Sequence, residues 1–215
     1  MILYASMDIK EAWEIIGGLS RPSKMPCFGY SIPAIHCKTG AKLRKIAGSI
    51  CSVCYALKGR YSFPKVRNAM QKRFASLNHP QWVQAMVLAI KWHENSGFFR
   101  WHDSGDIQSV NHLERIVEVC KQTPAIRHWL PTREFGIVKR YLDGGNKFPS
   151  NLTVRLSAIM IDGPGPHEIA KRYGLTTSGV SVGSFTCPSS LQQGKCAECR
   201  ACWDSKVENV NYKRH

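Results

Sequence analysis

The chain has 215 residues, 43% of them hydrophobic, and a formal net charge of +15, which is enough for one domain with a sizeable core. No apolar run is long enough to cross a membrane, and nine cysteines, an odd number, do not make a disulfide framework. Met1 to Trp13 lacks the basic and apolar regions of a signal peptide, so the expected setting is cytoplasmic, where thiols stay reduced.

The first predicted element is a helix. Ser6 is placed to cap it, Ile9, Trp13 and Ile16 recur at helical spacing, and Gly17-Gly18 ends it. Residues 20–63 read as irregular, punctuated by Pro22, Pro26, Gly29, Pro33, Gly40, Gly48 and Gly59, with one short strand around Tyr30 to Ile35. So long an irregular stretch needs something to tie it down. A metal held by Cys37, Cys51 and Cys54 would do that, and Cys27 or His36 could close such a site. Helices follow at about 65–77 and 81–95, with Pro80 at the entrance of the second.

From there strands and helices alternate. Strands are expected at 98–102, 126–130, 152–159 and 179–182, and helices at 110–121, 134–142 and 167–173. Asn111 and Glu114 have capping-box spacing for the helix at 110. Cys120 shares an apolar helix face with Leu113, Ile116 and Val117 and reads as core. Strand–helix alternation implies a parallel sheet with right-handed crossovers. The expected fold is α/β: a partial (β/α) barrel-like parallel sheet with a cysteine-rich irregular N-terminal segment and a cysteine-rich C-terminal tail, an open doubly wound sheet being the alternative. Residues 1–186 would form the core, and residues 187–215 a metal-binding tail docked on it.

The tail carries Cys187-Pro188, then Cys196, Cys199 and Cys202. Cys-x2-Cys-x2-Cys with a remote Cys-Pro is the ligand pattern of an iron–sulfur cluster: short spacers let one loop wrap three corners, and a distant cysteine supplies the fourth. Zinc is the alternative metal, although its all-cysteine sites usually use two separated Cys-x-x-Cys knuckles. The expected cofactors are therefore one or two [4Fe-4S] clusters.

The charge is unevenly placed. From Ile15 to His93 there is no Asp or Glu, against thirteen Lys and Arg, with Phe28, Tyr30, Tyr55, Tyr61, Phe63 and Phe74 interleaved. A basic, acid-free surface favours phosphate, and aromatic rings can stack on unpaired bases. Nucleic acid or a phosphorylated ligand is the expected partner, and a solvated basic face is the plainer reading.

In parallel α/β folds the working residues sit where strands end. That rule selects His102, Asp103, Ser104, Gly105 and Asp106 after one strand, Arg133 and Glu134 after the next, and Arg155 and Ser157 in a third. Polar groups converging at such a mouth suggest a ligand site. Mutual ion pairs, such as Asp106 with Arg155, and helix capping by Asp103 are the structural alternatives.

Ser104-Gly105-Asp106, Thr153 to Ser157, and Cys51-x2-Cys54-Tyr55 with Cys37 upstream resemble motifs of radical S-adenosylmethionine enzymes. In those enzymes three cysteines after the first strand hold a [4Fe-4S] cluster whose fourth iron is open to the methionine end of S-adenosylmethionine. An electron from the cluster cleaves that cofactor to a 5′-deoxyadenosyl radical. The resemblance implies that Asp106, in the Ser104-Gly105-Asp106 motif, binds the cofactor's amino group. Arg155 and Ser157 would bind its carboxylate or ribose, and His102, Asp103, Arg133 and Glu134 would face substrate. The sequence departs from the pattern in the thirteen residues between Cys37 and Cys51, and in Tyr55 following Cys54 instead of an aromatic preceding it.

A second resemblance spans nearly the whole chain. Ser23 to Pro26, Cys37 to Gly40, Cys51 to Tyr61, Arg100 to Asp106, Trp129 to Glu134 and Gly194 to Asp204 resemble a bacteriophage family known as gene product eighty-eight. It implies a phage protein working in host cytoplasm and brings no activity with it. The combined expectation is a phage iron–sulfur protein, radical-enzyme-like, acting on nucleic acid or a nucleotide-type substrate. The alternative is a non-enzymatic nucleic-acid-binding protein with structural iron–sulfur or zinc sites.

Overall fold

The computed structural model describes residues 7–214. A helix, α1 (Ile9–Ile16), precedes a six-stranded, all-parallel sheet. Its strands are β1 (Gly29–Tyr30), β2 (Phe98–Trp101), β3 (Arg127–Thr132), β4 (Leu152–Ser157), β5 (Thr176–Ser181) and β6 (Asn209–Lys213). The β1–β2 connection contains α2 (Lys38–Leu43), α3 (Pro64–Ser76) and α4 (Trp82–His93). The later connections carry α5 (Val110–Gln122), α6 (Phe135–Asp143) and α7 (His167–Tyr173).

The strands lie in the order β1 to β6, each hydrogen-bonded to the next. A doubly wound sheet reverses its strand order at a switch point; this one never reverses. It is the winding of a β/α barrel left open, with β1 and β6 as its edges, so the barrel-like expectation holds and the doubly wound alternative does not.

Strand side chains alternate between the two faces. Tyr30, Phe99, Trp101, Leu130, Leu152, Val154 and Leu156 join Trp82, Met86, Ile90, Leu113, Ile116 and Val117 from the helices in the main core. Cys120 lies in that core as expected. The opposite face carries Phe98, Trp129 and Val210, which pack with Cys27, Cys202 and Trp203 in a smaller core. The tail covers this inner face. Its last strand, β6, extends the sheet beside β5.

Several boundaries differ from expectation for local reasons. Ser6 lies outside the described residues, and Asp8 caps α1 by accepting from Glu11 N at 2.8 Å. The cap of α5 is Ser109, not Asn111; its side chain accepts from His112 N at 3.0 Å. The first strand is only two residues long. After Tyr30 the chain turns toward the β2 exit, Ile32 N donating to Ser104 O at 3.0 Å, and Pro33 has no N–H for a ladder. The strand expected at 179–182 begins earlier, at Thr176. The helix α2 gave no sequence signal because Gly40 interrupts it.

Candidate functional site

Residues 31–63 leave β1 and fold across the carboxyl ends of the neighbouring strands. Three sets of contacts pin them there. Glu134, just after β3, accepts from Thr39 N at 2.7 Å and Thr39 Oγ1 at 2.8 Å. Tyr55 Oη donates to Asp103 O at 2.5 Å, and Tyr61 Oη to Asp103 Oδ2 at 2.7 Å. Beyond β4, Ile50 N donates to Ile159 O at 2.9 Å, and Ile161 N to Gly48 O at 3.0 Å. The cysteine-bearing loop therefore roofs the mouth of the sheet from β1 to β4.

Cys37, Cys51 and Cys54 come together in that roof as free thiols. Gly40 explains how. A Cβ there would stand 2.9 Å from Cys37 Cβ, 3.6 Å from Cys51 Sγ and 3.8 Å from Cys37 Sγ. Glycine keeps open the gap that two sulfurs face. Burial pushes the Cys37 thiol up, and the nearby Asp106, Cys54, Cys51 and Glu134 add to that. Burial also raises Cys51, but Arg133 and Arg44 pull the other way by favouring its thiolate.

Among the described residues, no three His, Cys, Asp or Glu side chains are set to grip a single metal ion. A tetrahedral zinc draws its thiolates to about 3.8 Å from one another, given Zn–S bonds of about 2.3 Å. A cubane places each thiolate on its own iron and spreads them wider. The thiols of Cys37 and Cys51 face a gap at Gly40, and Arg133 and Arg44 lie near enough to favour the Cys51 thiolate. His36 takes no part: its ring stacks on Phe74 at 3.9 Å and its Nε2 lies 3.4 Å from Gln71 Oε1.

Below the roof lies the turn after β2. His102 ends the strand with φ of 54°. Both of its ring nitrogens, Asp103 Oδ1 and Ser104 Oγ are buried without hydrogen-bond partners. Four unpaired polar atoms in three consecutive residues are expensive, and a bound polar group would satisfy them. Gly105, at φ of 84°, has a different role from the one the sequence suggests: a Cβ would lie 2.2 Å from Ile32 Cγ1. Asp106 ties β2 to β3, accepting from Ile107 N at 2.8 Å, Thr132 Oγ1 at 2.6 Å and Arg133 N at 2.9 Å. Burial still pushes its carboxyl up to about 6.

The structure reassigns the other expected site residues. Asp103 and Glu134, expected to face substrate, spend carboxylate oxygens on anchoring the cysteine loop. Arg133 Nε donates to Ala158 O at 2.9 Å while its charge acts on Cys51. Ser157 Oγ pairs with Ser178 Oγ at 3.1 Å. Arg155 is neither paired with Asp106 nor open to a cofactor. It is fully buried, and its five N–H groups go to Cys202 O, Thr177 O, Val207 O, Ala201 O and Asp204 O at 2.7–3.2 Å.

The tail thiols gather on the inner face. Cys196 feels the charge of Cys187 and Cys199, and Cys202 that of Cys187. Trp203 locks the segment to the sheet, its Nε1 donating to Phe99 O at 2.9 Å. Arg100 stands on β2 between the two cysteine groups, its Cζ 4.4 Å above the Trp129 ring. The sheet's alternation turns Arg100, with Phe98, away from the main core that Phe99 and Trp101 join.

The buried imidazoles give a pH prediction. Burial holds His102 and His128 down at about 3. The unfolded chain takes up these protons from about pH 6.5 downward. Their contribution is therefore whole above 6.5 and is lost as pH falls toward 3. At pH 4.5 the expected loss is roughly 2–3 kcal/mol for each. Asp106, with its raised value, acts in the opposite sense between about pH 4 and 6 and offsets part of this. The urea midpoint should fall between pH 7 and 4.5; a constant midpoint contradicts neutral buried imidazoles.

An all-parallel β/α sheet roofed by three cysteines and lined by a second thiol group defines a cysteine-rich α/β protein with two candidate sulfur centres. Residues 8–205 match the family described as Gene product 88, and the chain belongs to that family of phage gene products. No curated protein and no solved structure matches it. No helix among the described residues is long and apolar enough to cross a membrane.

Proposed function

We propose that this protein works in the host cytoplasm as an iron–sulfur protein with radical-enzyme-like chemistry on a nucleic acid or nucleotide-type substrate. The observation that carries the reading is the roof: Cys37, Cys51 and Cys54 meet over the strand ends, beside Asp106 and Glu134 and in a loop tied to Asp103 through Tyr55 and Tyr61. Three thiolates leave one corner of a [4Fe-4S] cluster for S-adenosylmethionine. A cluster in that position supplies one-electron reduction of the cofactor. The chain's own residues supply placement and charge. Arg133 and Arg44 favour the Cys51 thiolate, and Glu134 and Asp103 hold the loop. The radical-enzyme part rests on the motif resemblance and on the three thiols of the roof, since Asp106, Arg155 and Ser157 are engaged within the sheet.

The substrate class rests on charge. Among the described residues the ion pairs are Lys121–Glu118 and Lys139–Asp143, so no carboxylate pairs with the cations between Ile15 and His93. Two refinements follow. Arg73 is buried, with Nε and Nη2 donating to Gly18 O and Leu19 O, and Tyr30 is core; neither is available to phosphate or bases. Phe63 stays exposed at 57%. The same unpaired cations favour a second reading, a nucleic-acid-binding protein whose centres are structural.

The test is electron paramagnetic resonance of the reduced, anaerobic protein with and without S-adenosylmethionine, beside binding of single-stranded RNA and DNA. A cluster signal that changes with the cofactor is expected. Affinity should fall about fifty-fold from 50 to 200 mM salt if about four phosphates are contacted. Salt-dependent binding with an unresponsive signal selects the structural reading. No binding at low salt removes nucleic acid as the partner.

A further inference from the structure

The sequence groups Cys27 with the N-terminal cysteines as a possible closing ligand for Cys37, Cys51 and Cys54. Its surroundings lie elsewhere. Cys27 is 3% exposed and packs in the inner-face core with Cys202, Trp203 and Trp129, against which Cys187 also packs. The main chain brings the two segments side by side: Cys196 N donates to Lys24 O at 3.0 Å. The charged and titratable groups acting on Cys27 are Glu94, Arg100, Cys196 and Arg200, with none of the N-terminal three among them. Glu94 is held by other bonds, accepting from Phe28 N at 2.6 Å and Ser96 N at 2.7 Å.

The cations are the second observation. Arg100 reaches only weak or long partners, Met25 Sδ at 3.3 Å and Tyr55 Oη at 3.4 Å, and its Nε is buried without one. It has no ion pair among the described residues. Arg200 lies across the Phe98 ring at 5.2 Å. Two half-buried guanidinium groups thus flank a set of thiols, of which Cys27 and Cys202 are buried. Both cations favour the thiolate forms of Cys27 and Cys196, the forms that bind metal. The site offers five thiols, one more than a four-cornered cluster takes. Cys202 has another partner at hand, its Sγ lying 3.2 Å from Tyr212 Oη.

We infer that Cys27 is a metal ligand of the tail centre, reaching it from the N-terminal half of the chain, with Arg100 as the counter-charge. This rests on the reading that the thiol groups hold metal. The centre would then staple the entry to β1 to the tail, joining the two ends of the sequence across the inner face.

The test uses full-length protein purified without oxygen, as wild type, Cys27→Ser, Cys196→Ser and Cys120→Ser, with iron, sulfide and zinc read per folded chain. Cys27→Ser and Cys196→Ser should each lose about half of the metal, as for one of two cubane centres, while Cys120→Ser keeps all of it. Full metal content and an unchanged absorption spectrum in Cys27→Ser overturn the inference alone. A wild type without metal overturns it together with the reading beneath it. Serine at a buried site can hinder folding, so the wild type is also alkylated before and after metal removal by a chelator. Cys27 should become reactive in step with Cys196 while Cys120 stays protected. Cys27 remaining as protected as Cys120 overturns the inference.

Discussion

Arg155→Met is expected to release the C-terminal tail and destabilise the protein by at least about 4 kcal/mol. A guanidinium has five N–H donors, and Arg155 spends all five on carbonyls of β5 and of residues 201–207. Ala201 O and Asp204 O also accept weak turn bonds at 3.2 Å, from Asp204 N and Val207 N. Removing the guanidinium leaves several buried acceptors unmet, each costing about 1–3 kcal/mol. Methionine fills the volume and isolates the polar loss. Arg155→Lys should fail nearly as badly, since an ammonium has three donors in a different geometry. Denaturant midpoints give the energy, and hydrogen exchange gives the location: amides of residues 187–214 should lose protection before those of β2 and β3. A variant within 1 kcal/mol of wild type, with a protected tail, contradicts this role.

The second large effect concerns the roof. Replacing Cys37, Cys51 and Cys54 together by serine should remove the N-terminal centre and leave the tail centre in place. The roof is pinned independently by Glu134, Asp103 and Ile159, so the fold survives while exchange quickens between residues 38 and 58. Metal content should halve, and any response of the electron paramagnetic resonance signal to S-adenosylmethionine should vanish. A triple variant with wild-type metal content contradicts a centre at these three residues.

Much of this architecture is legible in the sequence because its signals are local. Strand–helix alternation after Phe98, the glycine ending α1 and the apolar stripe of α5 all follow from short-range periodicity. So does the placing of polar residues at strand ends. The contacts that give those residues their roles are not local. Asp103 and Glu134 look like residues facing a substrate, because nothing nearby reveals Tyr61 and Thr39 arriving from other parts of the chain. Arg155 looks like a site residue for the same reason. Its partners lie more than twenty positions away and are backbone carbonyls, which leave no trace in side-chain pattern. Likewise, β6 lies beyond the cysteine run, and only Val210 and Tyr212 hint at a strand there.

The thiols divide along the same line. Spacing within the tail marks Cys196, Cys199 and Cys202 as a set, whereas Cys27 joins them only through folding. The first group has no short spacer between Cys37 and Cys51; Gly40 and α2 bring the two together. Gly40→Ala would therefore press a methyl group into the gap between two sulfurs.

The most direct measurement is iron, acid-labile sulfide and zinc per chain on protein purified without oxygen. Two cubane centres predict about eight iron and eight sulfide per chain, with little zinc. Zinc without sulfide, or no metal at all, contradicts the iron–sulfur reading and removes the radical chemistry built on Cys37, Cys51 and Cys54.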